Sequence, residues 1–465
     1  MRRTFASLFI VLALAGCATT SDMPRPQVDL PSAYRGETAE DAVPIDAEWW
    51  RAFKSEELVS LIETALRESP DLAMAVERVR QAEAQVRIAG ASLFPQLELS
   101  ASTSRRRTDG RNDELTTEST SATLSASYEI DVWGRNAAGK RAAEFSADAV
   151  RFDEAGIRLT TIAGIANAYF QVLSLRDRLR VARENLAIAE RVLEIVNIRA
   201  RNGVVTQLDV ARQNSAVLSQ RAVIPALELQ ERQTLAALAI LVGRTPQDFD
   251  VRGTTLTELA VPAVAPGLPA ELLVRRPDLA LAEAQLAAAN ANLAAARAAL
   301  LPSVALTGSA GLTKAAALSL ADPVNTVYTL GASILQPIFE GGRLRAQVEV
   351  AESRQRELVE SYRRAILSAL ADVEDALVAG SRTAQQQVLQ AQALEEARRA
   401  LRLAEVRYRE GADDLLSVLD AQRTLFAAED TLVQTHLARL QAAVSLHNAL
   451  GGGWELPAPV ATADH

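Results

Sequence analysis

Apolar and polar residues alternate in four short stretches of this chain. Leu97, Leu99, Ala101 and Thr103 share one face of an extended segment, and Ala122, Leu124, Ala126, Tyr128, Ile130 and Val132 share one of the next. The same pattern returns in Val304, Leu306, Gly308, Ala310 and Leu312, and in Tyr328, Leu330, Ala332 and Ile334. A period of two predicts β-strands, here two hairpins with strands at about 96–107 and 119–133, and at about 302–313 and 325–338. Each run is close to the length a tilted membrane-spanning strand needs, roughly ten residues. Each hairpin is followed by a Pro-free helical stretch, 135–202 and 343–410, each predicting a helix about 100 Å long. Leu175, Leu179, Ala182, Leu186, Ala189, Leu193, Val196 and Ala200 alternate steps of four and three, which predicts a coiled-coil seam; Leu394, Ala397, Leu401, Ala404 and Tyr408 do the same in the second stretch. Both stretches stop at a glycine, Gly203 or Gly411, and the chain resumes as a return helix over 207–242 or 415–450. Leu419, Phe426, Val433 and Leu440 recur every seven residues on the second return helix, as do Val418, Leu425 and Leu432.

The chain is therefore a tandem repeat with an offset of about 207 residues. Pro-Asp-Leu opens a helix at 70–72 and again at 277–279, with Pro in its first turn and Asp at its positive end. That helix stops at Pro95 or Pro302. Repeat one is expected over 46–242 and repeat two over 271–450, separated by a Pro-, Gly- and Thr-rich linker at 243–270 and followed by a tail at 451–465. A return helix covers about 54 Å, half the length of the long helix, and the Pro-Asp-Leu helix supplies most of the remainder. The linker then belongs at mid-length on the outside, where the half-length helices meet.

Composition narrows the class. Apolar residues make up 49% and aromatics 4%, a bias toward long helices. The formal charge of −9 argues against nucleic acid as a partner, and three His with one Cys leave little for a metal site or disulfides. No cofactor, His cluster, nucleophile elbow or phosphate loop is indicated, so an enzyme is not expected. The N-terminus reads as a signal peptide, 1–16: Arg2 and Arg3 precede a short apolar run ending in "LAGC". Cys17 is the expected lipidation point, and 17–45 is expected to be an extended tether. Ala18 after the Cys resembles lipoproteins sent on to the outer membrane. Loss of Arg2 and Arg3 takes the formal charge from −9 to −11. Past the signal no run of 18 apolar residues exists, so any membrane span must be by β-strands.

Four strands cannot close a barrel, and an open sheet in lipid leaves bare edges, so strands must be pooled between chains. A dimer would supply eight and a trimer twelve. The duplicated Pro-Asp-Leu helices, "SLFPQL", "YEIDVWGR", "LQPIFEGGR", "YREG" and "LLSVLDAQRTLF" resemble the outer membrane factor (TolC-like) family, in its lipoprotein subgroup. The resemblance covers essentially all of 45–455. It implies a mainly α fold with a transmembrane β part: a homotrimer in which a 12-strand β-barrel, four strands per chain, caps an α-helical barrel. It also implies a gated outer-membrane exit duct of a tripartite efflux system. Its partners would be a periplasmic adaptor, an inner-membrane transporter of RND type and outer-membrane lipid. Tyr128, Trp133, Tyr328 and Phe339 could lie at the bilayer interfaces or pack elsewhere.

The two glycine turns would form the periplasmic tip. Either Asp413 or Asp414 is expected to cap the second return helix. Leu416 and Asp420 lie one turn apart on one face and match the family's constriction residues; in a trimer they would form a dewetting ring and a cation-binding collar. Tyr408 and Asp209 match positions that bond across neighbouring helices to keep the tip closed. Asp413 stands where some members carry a basic gate residue, and near Asp209 it would weaken closure unless a counter-ion is bound. Two other readings stand beside the duct: a channel for type I protein secretion, and a periplasmic coiled-coil scaffold. The scaffold leaves the alternating runs unexplained.

Overall fold

The computed structural model describes residues 24, 26–35, 46–109, 114–314 and 325–454. The signal peptide, Cys17, most of the tether and the end of the tail lie outside the described residues. A 3-10 turn at Trp49–Phe53 leads into helices α1 (Glu56–Glu68) and α2 (Pro70–Ala91). Strands β1 (Gln96–Asp109) and β2 (Glu114–Ile130) follow, then α3 (Arg135–Arg201) and α4 (Gln207–Val242). The second repeat gives α5 (Leu272–Arg275), α6 (Pro277–Ala298), β3 (Ser303–Lys314), β4 (Asn325–Leu335), α7 (Arg343–Arg409) and α8 (Leu415–Ala449). Helices α3 and α7 both have 67 residues, and the element order of one repeat is the order of the other.

The chain divides into two compact units, one with segments 78–151 and 281–363, the other with 28–77, 152–280 and 364–465. The first holds a single antiparallel sheet in the order β1-β2-β3-β4. Strand β2 ends at Ile130 because Asp131 turns to cap α3, accepting hydrogen bonds from the amides of Asn136 (3.1 Å) and Ala137 (2.8 Å). Strand β4 stops at Leu335, before Pro337. The Trp133 indole donates to the Pro302 carbonyl at 2.7 Å, tying the two repeats together next to the sheet.

The second unit has the main core. Trp49, Phe53, Leu58 and Ile62 pack on Phe170 and Leu173 of α3, Leu238 of α4 and Leu440 of α8. Trp49 stacks on His447 with centroids 4.8 Å apart. The Pro- and Gly-rich linker is not a loose surface strand. Val251, Leu256 and Leu259 are buried in this core. Its backbone is held by charged side chains of the helices. Arg176 donates to the carbonyls of Val251 and Gly253, both at 2.6 Å. Glu57 accepts the amides of Arg252 (2.6 Å) and Gly253 (2.8 Å), and buried Asp177 accepts that of Leu256 (2.9 Å). A linker buried on one side must satisfy its peptide groups this way.

Each return helix ends on a left-handed glycine pressed against backbone. A Cβ on Gly243 (φ 82°) would lie 2.4 Å from the Glu68 carbonyl oxygen, at the α1–α2 junction. A Cβ on Gly451 (φ 86°) would lie 1.9 Å from that of Arg275, at the α5–α6 junction. These are the same contact made twice, once per repeat.

The seams differ in detail from the periodic expectation. Along α3 the buried line from Ala182 runs through Asn185, Ala189, Val192 and Val196, and Leu186 and Leu193 are only half-buried. On α8 the buried line is Leu415, Val418, Gln422, Leu425 and Glu429, with Leu419 and Phe426 beside it. Both buried lines keep the seven-residue repeat; on α3 every second position lies one residue earlier than expected, and polar Asn185, Gln422 and Glu429 enter the seams.

Gly243→Ala and Gly451→Ala should each destabilise the protein by about 2 kcal/mol or more, since strain and a backbone clash add. Gly380→Ala, mid-helix with open space around the new methyl, should instead gain about 0.5–1 kcal/mol. Denaturant unfolding of the three variants gives the contrast; equal effects at all three sites would contradict it.

Candidate functional site: a two-faced sheet and two capped hairpins

The strand register sorts the sheet into two faces. Leu99, Leu124, Ala310 and Tyr328 form one rung, and Leu97, Ala126, Gly308 and Leu330 the next. Tyr128, Leu306 and Ala332, then Ile130, Val304 and Ile334, continue this apolar face. Leu330 is 91% and Tyr328 77% exposed. The opposite face carries hydroxyls: Ser100 and Thr123, Ser102 with Ser121 and Thr313, and Glu98 with Ser125, Ser309 and Thr329. From Val304 to Leu312 the apolar face runs about 27 Å along the strand, roughly 20 Å of depth at the usual barrel tilt. That approaches the ~25 Å apolar band of outer-membrane barrels. Strand β1 pairs with β2 alone and β4 with β3 alone among the described residues, so both sheet edges are bare. Of the expected interface aromatics, Tyr128 and Tyr328 are on the apolar face, Phe339 is exposed, and Trp133 is half-buried and hydrogen-bonded.

The hairpin turns are built by caps. Gly203 (φ 73°) and Gly411 (φ 77°) adopt the left-handed conformation that ends α3 and α7. Thr206 caps α4 in a capping box: its hydroxyl accepts the Asp209 amide at 3.3 Å, and Asp209 accepts the Thr206 amide at 2.9 Å. Asp414 caps α8, accepting the Ser417 amide at 3.1 Å. This separates the two candidate caps, because Asp413 instead accepts a hydrogen bond from Arg407 at 2.7 Å. That ion pair holds the Asp413 carboxyl below the usual carboxylate range. Repulsion between a bare Asp413 and Asp209 is thereby replaced by pairing on its own hairpin.

The structure does not join Tyr408 to Asp209 within one chain. The Asp209 carboxylate is committed to Thr206, whose amide and hydroxyl keep it below the usual range. Tyr408 is buried, its hydroxyl has no hydrogen-bond partner among the described residues, and burial pushes its pKa up. The Arg199 guanidinium lies over the Tyr408 ring, 4.5 Å from its centroid, and donates to the Tyr408 carbonyl. Arg199 is absent from the sequence-based site, although its spacing from Gly203 is that of Arg407 from Gly411. Tyr408, Leu415 and Val418 pack with Val192, Val196, Val205 and Val210, so both hairpins share one apolar cluster.

Leu416 and Asp420 point away from that cluster. Leu416 is 58% exposed, and Asp420 forms an exposed pair with Arg423 at 2.9 Å. Leu208, one repeat earlier, is exposed by the same 58%. An apolar side chain is thus presented outward at both turns, at positions one repeat apart.

Thr206→Ala should cost about 1 kcal/mol by loss of the cap. Because the folded pKa values of Asp209 and Asp413 are depressed, their stabilisation is present above an unfolded value near 4 and is lost as pH falls through the folded values. Hydrogen exchange at residues 203–210 and 411–418 should therefore be flat from pH 8 to about 5 after correction for intrinsic rates, and rise below about pH 4. A rise centred near neutrality would contradict this.

Residues 61–244 and 268–452 both match the family model described as outer membrane efflux protein. The pyoverdine export outer membrane protein OpmQ of Pseudomonas aeruginosa is 46% identical over 455 residues, covering 96% of this chain and 95% of that protein. The cation efflux system protein CusC of Escherichia coli is 32% identical over 96% of this chain and 98% of its own length. The open state of the MtrE outer membrane channel of Neisseria gonorrhoeae superposes with a TM-score of 0.82 and 29% identity, over 94% of this chain and 98% of that one. The chain belongs to the outer membrane efflux protein family as an efflux channel of the outer membrane.

Proposed function

We propose that three copies of this chain form a passive exit duct, gated at the Gly203 and Gly411 hairpins. The two-faced sheet with bare edges carries the reading. Its apolar rungs face lipid, its Ser and Thr rungs face a water-filled lumen, and each bare edge pairs with a neighbouring copy to make twelve strands. Cys17 carries the lipid anchor. A periplasmic adaptor engages the hairpin tips and an inner-membrane transporter of RND type supplies the energy. The duct itself performs no chemistry.

Leu416 and Asp420 face the closed pore from the second hairpin. Their exposure in a single chain, beside an otherwise buried seam, supports that placement. The caps at Thr206 and Asp414 fix each return helix at its first turn, so opening is a movement of whole hairpins. The relation to the pyoverdine exporters makes a pyoverdine-type siderophore the first cargo to test.

Single cysteines at Leu330 and Ser309 test the sheet assignment in cells. A water-soluble thiol reagent should label the Ser309 position and spare the Leu330 position; equal labelling would refute the barrel. A strain lacking the protein should retain siderophore in the periplasm and become more drug-sensitive. Unchanged export and susceptibility would argue against the efflux role.

A further inference from the structure

We propose that Arg212 is a selectivity-determining residue of the pore and alternates with Asp420 around the constriction, making it a mixed-charge girdle. The inference rests on the proposed placement of Leu416 and Asp420 at the pore. Its ground is the internal symmetry of the two hairpins. A shift of 208 residues superposes Gly203 on Gly411, both left-handed. It also superposes Thr206 on Asp414, both N-caps bonded to the residue three positions on. Burial follows the same register: Val210 and Val418 both pack in the shared cluster, Val217 and Leu425 are both buried, and Leu208 and Leu416 are equally exposed. The register places Arg212 where the second hairpin has Asp420.

Both side chains are exposed, one turn beyond the exposed leucines. Helical spacing puts Leu208 and Arg212 on one face, as it does Leu416 and Asp420. Arg212 makes no hydrogen bond or ion pair with another described residue. Its nearest acid along the helix, Asp209, is hydrogen-bonded to Thr206, and Arg212 acts on that carboxylate only through space, as the last of the influences on it. Asp420 has only its exposed pair with Arg423 on the same helix, of the kind that contributes little and exchanges readily. In a ring built from both hairpins of each copy, an exposed cation with no hydrogen-bonded partner and a weakly held anion alternate at one level. Each then neutralises its neighbour. The closed girdle is held by unlike charges, and an Asp-only collar, with its strong cation preference, does not form. Opening separates the pairs and exposes both signs to the lumen, which suits a duct passing cargo of either charge.

The test is planar-bilayer recording of the full lipidated protein, with ion selectivity read from reversal potentials in a KCl gradient. Arg212→Gln should raise single-channel conductance and shift the cation-to-anion permeability ratio by about threefold or more toward cations. Asp420→Asn should shift it toward anions. Both shifts should shrink from 0.1 M to 1 M salt, as the screening length falls from about 10 Å to about 3 Å. The charge swap, Arg212→Asp with Asp420→Arg, should return conductance and selectivity toward the parent, a coupling that two independent surface charges would not show. A response to Asp420→Asn with none to Arg212→Gln overturns the girdle and leaves the pore placement standing. No response to either overturns both. Responses to both single variants without recovery in the swap also overturn the girdle, since the two charges then act without pairing. Both residues are exposed, and an unchanged unfolding midpoint confirms that the variants fold.

Discussion

The structure depends on a backbone contact that admits no side chain. At the end of each return helix a left-handed glycine lies against the carbonyl that closes the preceding short helix, Gly243 on Glu68 and Gly451 on Arg275. The return helix is half the length of its long partner, so something must begin where it stops. The glycine lets α2 and α6 begin there without a gap, and their opening proline needs no amide partner at that point. The core around Trp49, Phe53 and Phe170 packs beside this junction, and the linker is held to it by Arg176, Glu57 and Asp177.

Much of this was legible in the sequence because the duplication states each rule twice. Paired Pro-Asp-Leu openings, paired glycine stops and paired alternating runs fixed the element order, and alternation alone sorted the sheet into its two faces. What stayed hidden arises from contacts between elements. The linker reads as loose from its Pro, Gly and Thr, yet Asp177 and Arg176, far away in sequence, satisfy its peptides. The apolar pattern points to Leu186 and Leu193 in the α3 seam, whereas Asn185 and Val192, one residue earlier on the same heptad, are the ones buried, because the neighbouring helix covers that side of the stripe. At the turns, two adjacent acids offered the same capping chemistry. Only their hydrogen bonds in the folded chain show that Asp414 takes the cap while Asp413 takes Arg407.

The acids near the turns also show how local duties limit what is left for a gate. Asp209 and Asp414 serve helix amides, and Asp413 serves its own hairpin. Arg199 lies on Tyr408. Structural and functional charges share a few residues at each turn, and the caps must be assigned before any residue is given to the pore.

The bare sheet edges bear on how the protein comes into being. A single copy entering lipid would expose unpaired amides and carbonyls along β1 and β4, at a cost no hydrocarbon can offset. Membrane insertion and subunit association are then one event, and no inserted monomer exists to be chaperoned, titrated or refolded. A measured melting temperature would depend on protein concentration as well as on sequence. In a cell making two variants of this chain, copies would be mixed as they entered the bilayer together. A variant whose single copy disables the assembly would then act dominantly over the normal chain.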